Sequence, residues 1–206
     1  MVPAAAASFG FGAPAIAPLA LFVLGAGALT AAGRAAKVAR GAGEGNEGTR
    51  RVRNVAAKLS LPALAGLAAA LWPGHAETLA GAYVAGLAGA FADTAATESG
   101  PLAAAKPFLP GWRAWRRVPH GTPGAISMLG LAAGGIAAAA TGGAAAAAGL
   151  VAWRVAGIAT IAGWGASLVE SLMAPTGMGR SLGHDGRNAV LSAVAMAVAI
   201  VWSGRG

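Results

Sequence analysis

The sequence predicts an all-α fold, a polytopic bundle of about six transmembrane helices packed through alanine and glycine, on three observations. Only 11% of its 206 residues are charged while 56% are apolar, mean hydropathy is +0.63, and the apolar residues fall into runs of membrane-crossing length. A soluble domain carries about 25% charged residues, so this chain lacks the polar surface to enclose an aqueous core. It reads as one integral membrane domain over residues 1–206. The absence of cysteine excludes a disulfide scaffold, a thiolate nucleophile, a Cys-ligated zinc and an iron–sulfur cluster. The formal charge of +8 sits in short loops between apolar runs, which speaks against nucleic acid as a partner. Anionic lipid or a phosphorylated small molecule fits better.

A helix needs about 20 apolar residues to cross the hydrocarbon layer. The runs at 14–36, 59–72, 77–96, 124–140, 144–174 and 188–202 are read as the spans. The first has no Lys or Arg before it and reads as a retained span, not a cleaved signal peptide. The second is short, and a start nearer Val55 would let the Lys58 ammonium snorkel to water. Trp72-Pro73-Gly74-His75 ends it with turn chemistry, and Thr141-Gly142-Gly143 marks the break before the fifth. Arg154 then falls inside the fifth run, facing the bundle interior. In the other version the turn lies at Trp153-Arg154 and the span runs 155–174; the number of crossings is the same.

Seven of the fifteen Lys and Arg lie between Arg34 and Lys58, four between Lys106 and Arg117, and two at Arg180 and Arg187. These loops follow spans one, three and five, so the positive-inside rule puts them in the cytoplasm and both termini outside, in an inner or plasma membrane. Trp72 and Trp202 then fall in the outer aromatic belt. Glycine supplies 33 residues, many beside alanine within spans. Close helix approach is expected through Gly130-Leu131-Ala132-Ala133-Gly134 and through Gly81, Gly86 and Gly89. Such faces also suit a homo-oligomer.

Of seven acids, Glu44 and Glu47 sit in a Gly-rich basic loop, and Glu77 complements a helix dipole at the start of span three. Asp93, Glu98, Glu170 and Asp185 remain, all at the expected cytoplasmic ends of spans. Acids at membrane depth are functional candidates, and two or three with oxygen ligands nearby suit Mg²⁺ bridging substrate phosphates. Asp93 and Glu98 are about 140° apart on a continuous helix and meet only if it ends near Thr97. Ion pairing with loop arginines is the structural alternative for each.

The third loop carries Lys106, Arg113, Arg116 and Arg117, then Val118-Pro119-His120-Gly121-Thr122-Pro123-Gly124 leading straight into the fourth helix. That order sets N–H groups, a hydroxyl and a helix N-terminus beside cations, which suits phosphate oxygens. A polybasic grip on anionic lipid, with Trp112 and Trp115 at the interface, uses the same residues. In the last loop, His184, Asp185 and Asn188 share a face if the sixth helix begins early. Asp185 equally suits an N-cap.

Three stretches, 92–100 around Asp93 and Glu98, 118–130 from Val118 through Ser127, and 165–172 around Glu170, resemble the successive motifs of the DUF92 integral membrane family. That family includes phytyl-phosphate kinases. The resemblance covers about 50–203, departing from the family pattern at His120, Pro123, Ala125 and Glu170. It implies transfer of the γ-phosphoryl group of CTP or ATP to a prenyl monophosphate. Asp93 and Glu98 would hold Mg²⁺, with Glu170 or Asp185 as a further ligand. Lys106, Arg113, Arg116, Arg117, His120, Gly121, Thr122, Gly124, Ser127 and Asn188 would bind phosphate. A CTP-dependent lipid cytidylyltransferase, and a transporter or scaffold for phosphorylated or anionic lipids, are the rival readings.

Overall fold

The computed structural model describes residues 10–32, 47–110 and 115–203, the side chains of 47–55 excepted. Among them, six α-helices follow one another: α1 (Ile16–Ala31), α2 (Glu47–Leu71), α3 (Ala76–Ser99), α4 (Met128–Ala147), α5 (Trp153–Met173) and α6 (Gly177–Ser203). Five are long and apolar enough to cross a membrane, while α2 carries a shorter apolar stretch, Ala56–Leu71. The predicted helical bundle is therefore observed. Large apolar side chains such as Leu24, Leu64, Ile136 and Ile161 face outward, as they do where lipid is the solvent.

The axis of the bundle is α3. Every residue from 80 to 93 is buried, and each other helix packs on it. With no hydrophobic drive between helices in lipid, association depends on close contact, and glycine provides it. A Cβ at Gly163 of α5 would sit 2.5 Å from Gly89 N and 2.8 Å from Ala85 O on α3. On α4, a Cβ at Gly130 or Gly134 would sit 2.8 Å from Ala96 O or 3.0 Å from Ala92 O. The small-residue faces expected from the sequence are thus helix contacts.

The largest correction concerns the first reading of the break, Thr141-Gly142-Gly143, which lies inside α4 and makes no turn, whereas the other reading, a long fourth helix turning near Trp153-Arg154, is close to what is observed. Buried Thr141 donates its hydroxyl to Ala137 O at 2.9 Å, and a Cβ at Gly142 would reach Ala156 O of α5 at 2.9 Å. Glycine there serves approach between helices. The turn falls at 148–152, where Gly149 takes φ +75° and Leu150 N–H donates to Ala145 O. Since α5 starts at Trp153, Arg154 is exposed in its first turn. It does not enter the bundle, because the helix begins beside it.

Two other boundaries bear on function. The fourth helix begins at Met128 and not directly after Gly124: Ser127 is its N-cap, its Oγ accepting from Gly130 N–H at 3.0 Å. The sixth begins earlier than 188, but Gly183, at φ 64° and ψ −176°, breaks it into two segments. Such a conformation is essentially confined to glycine.

Candidate functional site

The buried charged side chains Lys58, Asp93 and Glu170 lie at the end of the bundle where α1, α3 and α5 end and α4 and α6 begin. The far end carries exposed Trp72, Trp153 and Trp202, with Glu77 in the first turn of α3. At the polar end the three stretches singled out in the sequence converge. Gly130 lies against Ala96 O, and a Cβ at Gly124 would meet Ser171 O at 2.6 Å and Pro175 Cδ at 2.7 Å. Gly124 also holds φ +78°, so both conformation and space require glycine there.

Asp93 lies at the heart of this end. Its Oδ2 is 2.7 Å from Lys58 Nζ, and Lys58 is 4% exposed, Asp93 6%. The same ammonium donates to Thr94 Oγ1 at 2.7 Å, while the Thr94 hydroxyl proton goes to Ala90 O. Lys58 therefore does not snorkel: a buried partner in helix α3 holds it. The fold accounts for its position. Pro62 lies inside α2 and has no N–H, so the Lys58 carbonyl four residues earlier loses its helical donor. Ser192 Oγ on α6 donates to that carbonyl at 3.3 Å, with Ser192 fully buried.

A second ion pair stands beside the first. Glu170 Oε1 accepts from Arg187 Nε at 2.6 Å, and Glu170 is within electrostatic reach of Asp93 and His184. The guanidinium also donates to Gly179 O at 3.1 Å and approaches His184 Nδ1 at 3.5 Å. It thereby ties α5 to both segments of α6 across the Gly183 break. Asn188, fully buried, sits one residue beyond Arg187.

The proposed metal set is reduced by this geometry. Because α3 runs unbroken to Ser99, Glu98 points away from Asp93 and accepts from Thr30 Oγ1 of α1 at 2.8 Å. No three acid or imidazole groups gather among the described residues, so Asp93, Glu98 and Glu170 are not assembled together. Asp93 and Glu170 remain, both buried and within electrostatic reach of each other. Asp185 is half-buried in the first turn after the Gly183 break, on the same segment as Arg187.

The loop cations form an outer tier. Phe108–Leu109 (β1) and Arg116–Arg117 (β2) pair antiparallel, Phe108 also pairs with Ile126, and Arg117 stacks over the Phe108 ring at 5.2 Å. Lys106, Arg116 and Arg117 are exposed; Arg113 and Trp112 lie outside the described residues. Gly121 takes φ +81°, Thr122 Oγ1 donates to Pro119 O at 2.8 Å, and His120 is half-buried. The Ser127 oxygen is engaged in the α4 cap. Sequence reasoning missed Lys58 and Arg187 as site residues; a lysine within an apolar stretch, four before a proline, was the available signal.

A family model described as integral membrane protein DUF92 matches residues 1–203, a longer stretch than the motifs alone cover. No curated protein and no solved structure matches the chain.

Proposed function

The chain belongs to the integral membrane family DUF92, and from that premise we propose that it is a membrane-embedded prenyl-phosphate kinase. It would carry the γ-phosphoryl group of a nucleoside triphosphate to an isoprenoid monophosphate. The observation that carries this reading is the two buried acids Asp93 and Glu170, within electrostatic reach of each other and each ion-paired to a cation, at the end of the bundle that also carries the exposed loop cations. The basic end is cytoplasmic in this reading, where nucleotide is available. The lipid acceptor's tail would lie along the apolar helices with its phosphate at this rim.

The donor set suits Mg²⁺. Among the described residues no hydrogen bond reaches Asp93 Oδ1 or Glu170 Oε2, so each acid keeps one oxygen to offer. Mg²⁺ commonly takes only one or two carboxylates, with waters and substrate phosphates completing its shell. When bound, it would offset charge on the phosphate oxygens.

The remaining work falls to the chain. Lys58 and Arg187 hold the two acids in fixed geometry, and Lys106, Arg116 and Arg117 would neutralise the incoming polyphosphate. An acceptor phosphate oxygen forms the new bond to the γ-phosphorus as the β–γ bridging bond breaks, and nucleoside diphosphate leaves. The attacking oxygen is already ionised, so no strong general base is required. Between Ala80 and Ala92 the buried face of α3 carries a single polar side chain, Tyr83, which argues against transport along it.

The test is incubation of purified protein with γ-labelled CTP or ATP and farnesyl or geranylgeranyl phosphate. Label in the prenyl diphosphate with release of nucleoside diphosphate is expected. Pyrophosphate release would replace the kinase with a cytidylyltransferase, and no transfer to any acceptor would end both.

A further inference from the structure

Two tiers of cations stand at the same end of the bundle, and they differ in depth. Lys106, Arg116 and Arg117 are exposed on the loop. Lys58 is almost fully buried, at the start of the apolar stretch Ala56–Leu71 of α2. Its ammonium has three N–H groups. Two go to Asp93 and Thr94, and the third has no partner among the described residues. A buried charge of this kind is costly to keep in a span and marks a functional position. Here the fold fixes it, since Pro62 removes the helical donor of its carbonyl and Ser192 replaces it.

We propose that Lys58 binds the phosphate of the lipid-borne acceptor, the outer arginines being left to the water-borne nucleotide. This rests on the kinase reading and adds to it a division of the two phosphates by depth. A lipid phosphate anchored by its tail reaches the level of the apolar helices, where Lys58 lies. A soluble polyphosphate meets the exposed tier first. Lys58 can turn its third N–H to the phosphate while Asp93 and Thr94 keep the other two.

The experiment compares thermal stabilisation of detergent-purified protein by farnesyl phosphate with that by farnesol, which has the same tail and no phosphate, without Mg²⁺. Wild type should be stabilised more by the phosphate. The double variant Lys58→Met/Asp93→Asn keeps the pair neutral and should lose that difference. Removing Asp93's charge by itself favours an anion, so the loss would belong to Lys58. In turnover, Lys58→Arg should raise acceptor KM about tenfold, the scale of one charge-assisted contact, with nucleotide KM unchanged. Arg116→Ala/Arg117→Ala should do the reverse.

Equal phosphate-dependent stabilisation in the double variant, or none in wild type, would overturn the assignment. So would a Lys58→Arg effect confined to nucleotide KM. Phosphate binding through Lys58 without any label transfer would instead remove the kinase reading and leave Lys58 as a lipid-phosphate ligand.

Discussion

Lys58 and Asp93, on neighbouring helices, form a 2.7 Å ion pair sealed inside the bundle. Beside it Arg187 and Glu170 repeat the arrangement at 2.6 Å, so two ion pairs stand together at one end of the bundle. Each pair neutralises itself, which allows four charges to lie among helices.

Breaking one pair should be costly in proportion to what is left behind. Lys58→Met strands a buried carboxylate and should destabilise by about 3–5 kcal/mol, whereas Lys58→Met with Asp93→Asn should recover most of the loss. Thermal unfolding in detergent of both variants reads this directly. Equal loss in single and double variants would mean that the pair does not hold the charges.

Arg187 predicts a different outcome for a substitution that keeps charge. Its guanidinium contacts Glu170, Gly179 and His184 at once, a fork that an ammonium cannot reproduce. Arg187→Lys should cost about 1.5–3 kcal/mol through the lost charged hydrogen bonds. It should also increase proteolytic cleavage near Gly183, because the tie across the helix break is gone. Wild-type stability and cleavage in this variant would contradict the stapling role.

Much of this fold is legible in the sequence because lipid imposes long helices, so apolar runs and the Pro73-Gly74 break locate them. Asp93 and Glu170 are legible too, as rare acids in apolar surroundings. What the sequence hides is which helix faces which. Glu98 looks equivalent to Asp93 until α3 continues past it, and Lys58 looks like a snorkelling residue until Asp93 is opposite. Glycine is ambiguous in the same way: Gly142 and Gly149 look alike as turn signals, yet the first packs against α5 and the second turns the chain.

The link between Pro62 and Ser192 makes a coupled prediction. Ser192→Ala should leave the Lys58 carbonyl without a donor and cost about 1–3 kcal/mol. In a Pro62→Ala background an N–H returns at position 62, so the same serine change should cost less. A double-mutant cycle on thermal stability should give a coupling energy of about 0.5 kcal/mol or more. Additive losses would show that Ser192 does not substitute for the missing helical bond.

Helix contact through glycine can be separated from glycine as mere composition by two substitutions in one helix. At Gly163 an added methyl would meet Gly89 N, Ala85 O and the Ala88 methyl, all at 2.5–2.8 Å, whereas at Gly157 nothing lies within 4 Å. Overpacking against backbone should make Gly163→Ala cost about 1–3 kcal/mol. Gly157→Ala removes only the conformational freedom of glycine in a helix and should be neutral or stabilising by up to about 1 kcal/mol. Because α5 carries Glu170, forcing it away from α3 should also separate that acid from Asp93. Gly163→Ala is therefore expected to lower the proposed transfer activity more than stability alone would account for at temperatures where the protein remains folded. Matching behaviour of the two variants in unfolding and turnover would show that the α3–α5 contact does not set the spacing of the acids.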